Sequence, residues 1–154
     1  IGGCEYLDGE LIQDERETTF KSFMEEQSMF CEAWFLKGAF LPEEGYRLMK
    51  MCLSQSHYPS AFFIASDPIA IGAYKAIAEA GLKVGEDISL IGFDDIYTSQ
   101  FLTPSLTTVK VYTDFMGETA VDVLVERIKS KHEIHEQILI PTKLMIRENC
   151  RKIK

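Results

Sequence analysis

Apolar runs and segments of helical spacing alternate along the chain. Residues 60–66 (SAFFIAS) and 88–93 (ISLIGF) are almost continuously apolar, a pattern typical of strands buried on both faces of a parallel sheet. Between them, residues 68–80 place apolar side chains three and four positions apart, which predicts a helix with one core-facing side. The order strand, helix, strand predicts an α/β fold with a parallel sheet and right-handed crossovers.

Proline, glycine and acidic residues mark the expected ends of two helices. Asp67-Pro68 predicts a helix start, because an acid can cap the free amides and proline fits the first helical position. Gly81 predicts the end of that helix. Pro42 predicts the start of a second helix, over residues 42–53. The core-facing positions expected on the helix that follows Asp67 are Ile69, Ala73, Ala76, Ile77 and Ala80.

Other segments carry weaker signals. Residues 10–27 and 115–130 show helical spacing of apolar side chains, whereas residues 96–106 show no clear period, which predicts a long loop. Strands are expected at residues 1–3 (the tail of a longer strand), 33–36, 107–111, 137–140 and 143–146. The apolar stripe expected on the last helix comprises Met116, Ala120, Val123, Leu124 and Ile128.

The composition is that of one folded domain. The chain has 154 residues, of which 46% are hydrophobic and 26% charged, which suffices for a single hydrophobic core. No apolar run reaches the roughly 18 residues of a membrane helix, and the start of the chain has no signal-peptide pattern. The formal net charge is -8, which disfavours nucleic acid binding by these residues. Any contact with DNA would need another segment.

Four cysteines are scattered without a metal-binding or disulfide framework. No two form a Cys-x-x-Cys pair, and no histidine has zinc-finger spacing. Such cysteines predict reduced thiols in a cytoplasm, with structural disulfides as the disfavoured alternative. The four are Cys4, Cys31, Cys52 and Cys150.

Five segments, in order and at matching spacing, together resemble one protein family. They are residues 60–73 (SAFFIASDPIAIGA), 80–95 (AGLKVGEDISLIGFDD), 104–109 (PSLTTV), 117–120 (GETA) and 144–147 (LMIR). The family is that of the LacI/GalR-type transcription regulators, and the resemblance covers essentially the whole chain. It implies a periplasmic-binding-protein-like type I fold, in which two similar α/β lobes are joined by three crossover strands and follow a helix-turn-helix domain.

The resemblance also implies a domain organisation. Residues 1–110 would form most of the C-terminal lobe, residues 111–140 a piece of the N-terminal lobe, and residues 141–154 the return to the C-terminal lobe. The DNA-binding domain and most of the N-terminal lobe would lie outside this chain, so we expect a fragment that binds sugar weakly or not at all. The helix over residues 115–130 would lack its lobe, and its apolar stripe should be displaced, swapped or buried in a neighbour.

Four residues are candidates for binding a small-molecule effector. A sugar is held by carboxylate and guanidinium groups on its hydroxyls and by an aromatic ring on its apolar face, and in open α/β sheets such groups gather at the carboxyl ends of strands. Asp94 follows an apolar strand and resembles the family acid that accepts from effector hydroxyls. Arg16 resembles the family arginine, whose fixed donors suit paired hydroxyls. Ser66 lies at a strand end, and Phe40 resembles the aromatic residue that stacks on the effector.

Each candidate has a structural alternative. Asp94 could be a turn acid that binds backbone amides, and Arg16 a surface arginine paired with its acidic neighbours. Thr19 stands where the family has glycine, which leaves the packing of the helix near Arg16 open. Phe40 could equally be an ordinary core residue. Asp67 is expected to be a helix cap rather than a ligand residue.

Catalytic and metal sites are disfavoured. His132 and His135 stand three positions apart without a third ligand, so a solvated turn is their expected role. Asp94 and Asp95 are adjacent at a strand end, whereas the carboxyls of a glycosidase must face each other about 5 to 9 Å apart. Neither a Gly-x-Ser-x-Gly nor a P-loop pattern occurs. We therefore expect a protein that is not an enzyme and has no cofactor or metal.

A dimer surface is expected beside the helix over residues 68–80. Three of its side chains lie off the core face, and the following loop adds three apolar residues, so together they form a candidate exposed patch. Relatives of the LacI/GalR type dimerise through the equivalent surface, which predicts a two-fold homodimer interface. The six residues are Ile71, Tyr74, Ala78, Tyr97, Phe101 and Leu102.

The leading hypothesis is a cytoplasmic repressor of a carbohydrate-utilisation operon, in which a sugar binds one arrangement of the lobes better than the other. Its partners would be a sugar effector, operator DNA through a segment outside this chain, and a second copy, but no membrane. Within the family, the greatest resemblance is to repressors of galactose or β-galactoside operons. The residues that carry it are Arg16, Asp94, residues 109–112 and Met116-Gly117. The alternative is a sugar-binding protein of a transport system, which shares the fold, and a hydrolase is a distant third.

Overall fold

The computed structural model describes residues 2–3, 5–7, 10–12, 14–130 and 136–151. Its α-helices are α1 (Glu15–Glu26), α2 (Pro42–Leu53), α3 (Asp67–Glu79) and α4 (Thr113–Ser130). Its strands are β1 (Gly2–Gly3), β2 (Glu5–Leu7), β3 (Glu10–Ile12), β4 (Lys37–Gly38), β5 (Ala61–Phe63), β6 (Ser89–Asp94), β7 (Thr107–Lys110) and β8 (Lys143–Met145). Two 3-10 turns cover Glu32–Trp34 and Tyr97–Phe101.

The main sheet has four strands in the order β5, β6, β7, β8. The first three are parallel, with Phe62 opposite Leu90 and Gly92 opposite Thr108. β8 closes the sheet antiparallel to β7. A separate parallel pair joins β1 to β4, and β2 and β3 form an antiparallel pair. The predicted α/β fold with a mostly parallel sheet is confirmed.

Helices α2 and α3 cross at very short range because each has a glycine at the crossing. A Cβ atom at Gly45 would overlap the carbonyl oxygen of Ile69, and one at Gly72 would overlap the carbonyl oxygen of Pro42. The two backbones therefore touch, and no larger residue fits at either position without displacing a helix.

The hydrophobic core lies around α2, α3 and the main sheet. Four of the five core positions predicted on α3 are fully buried, whereas Ala80 lies just beyond the helix and is exposed. Strand β6 contributes Leu90, and the loop before β7 contributes Leu106. Further fully or almost fully buried residues are Leu48, Met49, Cys52, Ile64 and Ile88.

A buried amide ties the end of the chain to the sheet. The side chain of Asn149 is fully buried. Its Oδ1 accepts a hydrogen bond from the backbone N–H of Thr107 at 2.6 Å, and its Nδ2 donates to the carbonyl oxygen of Leu90 at 2.7 Å. Residues 147–150 are thereby held against β6 and β7.

Three predicted element positions were wrong. Residues 10–12 form β3, and α1 begins only at Glu15, because the carboxylate of Asp14 accepts from the backbone N–H of Arg16 and caps the helix there. Residues 33–36 lie partly in a 3-10 turn, and the strand follows at Lys37. Residues 137–140 form no strand, since no neighbouring strand pairs with them in the described chain.

Helix α4 has no buried residue among those the structure describes. Its predicted apolar stripe faces outward, with Leu124 58% and Ile128 68% exposed. Phe115, Met116, Val121 and Val125 are exposed as well. An amphipathic helix in this state has a covering surface elsewhere or is marginally stable.

Candidate functional site

The carboxyl ends of β5 and β6 bring two candidate residues together. Ser66 lies just beyond β5, and Asp94 is the last residue of β6. The hydroxyl of Ser66 donates a hydrogen bond to Oδ2 of Asp94 at 2.9 Å. Because the two strands are parallel neighbours, both side chains emerge at the same edge of the sheet, which is where ligands bind in open α/β sheets.

Arg16 reaches this edge from the first turn of α1. Its guanidinium binds the carboxylate of Asp14, with Nη2–Oδ2 at 2.6 Å and Nε–Oδ1 at 3.0 Å. Its Nη1 donates to the carbonyl oxygen of Ala65 at 2.8 Å. The pairing with an acidic neighbour is thus part of its role, and the contact with Ala65 attaches the start of α1 to the end of β5.

Two aromatic rings complete the cluster around Arg16. The guanidinium carbon lies 4.6 Å from the ring centroid of Phe93 and 6.0 Å from that of Phe40. The structure therefore brings all four candidates from the sequence to one place. Phe40 lies beside the guanidinium of Arg16, which binds the residue directly before Ser66, and Ser66 binds Asp94. Sequence reasoning did not include Phe93, although its position directly before Asp94 on a strand end could have signalled it.

The pKa values of the two carboxylates in the cluster, Asp14 and Asp94, are shifted in opposite directions. Burial raises the pKa of Asp94 above its ordinary value, against the opposing effects of the Ser66 hydrogen bond and the Arg16 charge. The side-chain hydrogen bond from Arg16 lowers the pKa of Asp14. Asp14 is thus an ionised anchor for the arginine, whereas Asp94 is a partly buried acceptor whose charge is balanced by a nearby guanidinium.

The backbone of the site is strained at Asp94 and at the residue that follows it. Asp94 has a φ of 112° and Asp95 a φ of 56°, a region that residues with a side chain rarely adopt. Such conformations cost about 1–3 kcal/mol each and persist where the surroundings enforce them, often at functional sites. With these two φ angles the chain turns sharply after β6, and the carboxylate of Asp94 faces Ser66.

Asp67 is not the helix cap that its sequence position predicts. Ser66 occupies the cap position of α3 without a side-chain cap bond, and the fully buried carboxylate of Asp67 points into the protein. It accepts from the hydroxyls of Ser99 at 2.6 Å and Thr108 at 2.7 Å. Burial raises its pKa above the ordinary value. Sequence reasoning thus misassigned Asp67 and missed its two buried partners, Ser99 and Thr108.

A hollow adjoins the cluster along α1. It has a volume of about 510 Å³ and opens beside Arg16, with Thr19 and Phe23 on the same helix face. The rings of Phe20 and Phe63 stack with their centroids 5.6 Å apart, and both residues line the hollow. Thr19, the departure from the family glycine, is exposed on this surface and does not prevent Arg16 from reaching the sheet.

The predicted dimer patch is only partly a surface. The rings of Tyr97 and Phe101 contact each other at 4.9 Å and are 76% and 63% exposed. Ala78 is exposed, and Ile71 and Leu102 are half-buried. Tyr74 was wrongly assigned to the patch: it is buried, and its hydroxyl donates to the carbonyl oxygen of Pro104 at 2.9 Å.

No constellation for metal or disulfide chemistry is found in the described part of the chain. No three histidine, cysteine, aspartate or glutamate side chains could jointly hold a metal ion there. Cys31, Cys52 and Cys150 are free thiols. Cys4, His132 and His135 lie outside the described residues. None of the described helices is long and apolar enough to cross a membrane.

Comparisons with known proteins give a consistent result. Residues 2–150 match the model of a family described as a periplasmic binding protein-like domain. The chain is 42% identical over 139 residues to the HTH-type transcriptional repressor MelR of Bacillus subtilis, a match that covers 90% of this chain and 39% of that protein. It is 41% identical over 152 residues to the HTH-type transcriptional repressor PurR of Haemophilus influenzae, covering 94% and 45% respectively.

A solved structure shows the same architecture. A lac repressor dimer bound to operator and the anti-inducer ONPF is 27% identical to this chain, with a TM-score of 0.78 over 89% of this chain and 47% of that one. The chain spans less than half the length of the relatives named here.

Proposed function

This chain belongs to the family of periplasmic-binding-protein-like domains, in the branch of the LacI-type regulators, and on that premise we propose that it is the effector-binding and dimer-forming part of a transcriptional repressor. The effector is a sugar, and the repressor acts on a carbohydrate-utilisation operon in the cytoplasm. Both curated relatives are transcriptional repressors, which favours regulation over a transport protein or a hydrolase.

The observation that carries the proposal is the cluster of Arg16, Ser66 and Asp94 beside Phe40 and Phe93. It offers a carboxylate and a hydroxyl as acceptors, aromatic rings as an apolar wall, and a guanidinium that Asp14 and the carbonyl oxygen of Ala65 hold in place at the same strand end. Adjacent hydroxyls on a ring with an apolar face match this set of groups. A galactose or a galactoside is the finer proposal, and it rests on the resemblance of Arg16 and Asp94 to the family residues.

The arrangement of the elements supports the proposed domain organisation. β8 returns to pair with β7, as expected if residues 1–110 and 141–154 share one lobe. α4 lies between them in sequence and buries nothing, as expected if residues 111–140 belong to a second lobe. The DNA-binding domain then lies in the part of the protein outside this chain.

The effector acts by binding one arrangement of the two lobes better than the other, since a ligand shifts an equilibrium only by its differential affinity. The readout is the spacing of two DNA-binding domains in a homodimer. The surface proposed for that dimer comprises the exposed, mutually contacting rings of Tyr97 and Phe101, the exposed Ala78 and the half-buried Ile71 and Leu102.

The test is a gel shift with the intact regulator and its operator, with and without D-galactose and a panel of other common sugars. Asp94→Ala and Arg16→Ala should abolish the sugar response but spare operator binding. Arg47→Ala, which removes an exposed arginine paired with Glu44 on α2, is the matched control and should respond normally. A normal response in either site variant would refute the proposal.

A further inference from the structure

The turn after β6 has an unfavourable backbone conformation that the effector site itself does not explain. Asp94 and Asp95 are consecutive residues with positive φ, and each such residue is unfavourable on its own. The conformation persists only if contacts hold it from outside. The structure shows two such sets of contacts, one to the residues that follow the turn and one to the side chain of Asp95.

The first set of contacts centres on Asp67. Its Oδ2 accepts from the backbone N–H of Ile96 at 3.1 Å and from the hydroxyl of Ser99 at 2.6 Å. The carboxylate can lie this deep because residue 92 is glycine: a Cβ atom there would overlap Oδ1 of Asp67. Asp67 therefore fixes the chain directly after the turn, at Ile96 and Ser99.

The second set of contacts centres on Arg147, which follows β8. Its Nη2 donates to Oδ1 of Asp95 at 2.6 Å, and its Nη1 donates to the carbonyl oxygen of Leu106 at 2.7 Å. Lys110 adds a longer contact to the other oxygen of Asp95, at 3.9 Å. The side chain of Asp95 is 8% exposed, so these charge-assisted bonds are shielded from water and hold firmly.

One residue joins the two sets. The hydroxyl of Thr108 donates to Oδ1 of Asp67 at 2.7 Å and accepts from the backbone N–H of Asp95 at 3.4 Å. The N–H of Val111 donates to the carbonyl oxygen of Asp94 at 3.4 Å. The peptide group that joins Asp94 to Asp95 is thus contacted at both its N–H, by Thr108, and its carbonyl oxygen, by Val111.

We propose that Asp67 and Arg147 are positioning residues that hold the strained backbone of Asp94, so that its carboxylate faces Ser66 and Arg16. The use of that carboxylate for a ligand rests on the proposed function, but the holding does not. The proposal also gives one physical reason for three sequence segments: GFDD supplies the turn and the glycine, PSLTT supplies Thr108, and LMIR supplies Arg147. Neither positioning residue needs to touch the effector.

Hydrogen exchange of backbone amides, followed by NMR on the 154-residue chain, tests the proposal without any ligand. The reporters are the amides of Ile96 and Val111, and the amides in the middle of α3 report global unfolding. Arg147→Met and Asp67→Asn should speed exchange of both reporters at least tenfold, with the α3 amides changing less than twofold. Arg147→Lys, which keeps the ion pair with Asp95, should restore part of the protection. Arg47→Met removes a surface arginine and should change nothing.

Unchanged exchange at Ile96 and Val111 in Arg147→Met would overturn the proposal. So would a loss of protection that is equal at the reporters and in α3, because that result describes a general stabilising role; if Arg147→Met does not fold, Arg147→Lys and Asp67→Asn decide by the same criteria. If no sugar changed operator binding in the gel shift, the proposed function would be refuted, but this exchange result would stand. The two proposals can therefore fail separately.

Discussion

Helices α3 and α4 follow from the same kind of sequence pattern but have opposite surroundings. Each carries apolar residues at helical spacing and each begins and ends close to the predicted positions. Eight residues of α3 are buried, whereas none of the described residues of α4 is. The difference shows that periodicity predicts a helix and its apolar face, but not the surface that covers the face.

The contrast is sharpest at one glycine in each helix. Gly72 of α3 lies where a Cβ atom would overlap the backbone of α2, whereas a Cβ atom at Gly117 of α4 would have no neighbour within 4 Å. α3 owes its stability to tertiary packing. α4 buries no described residue and therefore lacks the tertiary packing that supplies most of the stability of helices in proteins.

The largest expected effect separates these two glycines. Gly72→Ala should lower the free energy of unfolding by about 3 kcal/mol, because it forces α2 and α3 apart. Gly117→Ala should leave global unfolding unchanged and stabilise α4 by up to about 1 kcal/mol, since alanine is the better helix former. Urea unfolding measures the first effect, and hydrogen exchange of the α4 amides measures the second.

Equal effects of the two substitutions on global unfolding would break the comparison. A large loss of stability in Gly117→Ala would mean that α4 packs closely on another surface of the same chain.

A smaller effect concerns the buried carboxylate at the start of α3. Burial raises the pKa of Asp67 in the folded state, so the folded state binds a proton there more tightly than the unfolded state does. The stability gained from that proton is complete below the ordinary pKa of 3.8 and is lost as the pH rises through the raised value. The stability difference between the natural chain and Asp67→Asn should therefore shrink as the pH increases from 3.8 upward. One pKa unit corresponds to about 1.4 kcal/mol.

Asp14 provides the opposite sign for the same experiment. Arg16 lowers its pKa, so its contribution is present above pH 3.8 and is lost as the pH falls through the lowered value. Urea unfolding of Asp14→Asn from pH 3 to 7 should thus show a difference from the natural chain that grows with pH. Parallel pH profiles for the two variants would contradict this account.

The central part of the fold could be predicted because local patterns and tertiary packing agree there. The run at residues 60–66, the Asp67-Pro68 start and Gly81 all correspond to elements of the structure. The prediction was wrong where the structure of a short segment depends on whether a neighbouring strand pairs with it. Residues 10–12 and 137–140 carry similar short apolar patterns, but only the first has a neighbouring strand to pair with.

The candidate site could be predicted in its members but not in its supports. Arg16, Ser66 and Asp94 stand at strand or helix ends, where the sequence signals are local. Asp67 was misassigned, because the Asp-Pro pattern signals a helix start but not the direction of the carboxylate. Its partner Thr108 lies 41 positions away, and no local pattern connects residues at that separation.

The central claim is that Arg16, Ser66 and Asp94 form one sugar-binding site, and an NMR titration of the intact regulator tests it most directly. D-galactose, D-ribose and other common sugars are added to millimolar concentrations, where weak binding is visible. For at least one sugar, amide shifts should change at residues 16, 66 and 94, and Asp94→Asn should remove those changes. Shift changes confined to other residues, or the same changes in Asp94→Asn, would contradict the claim.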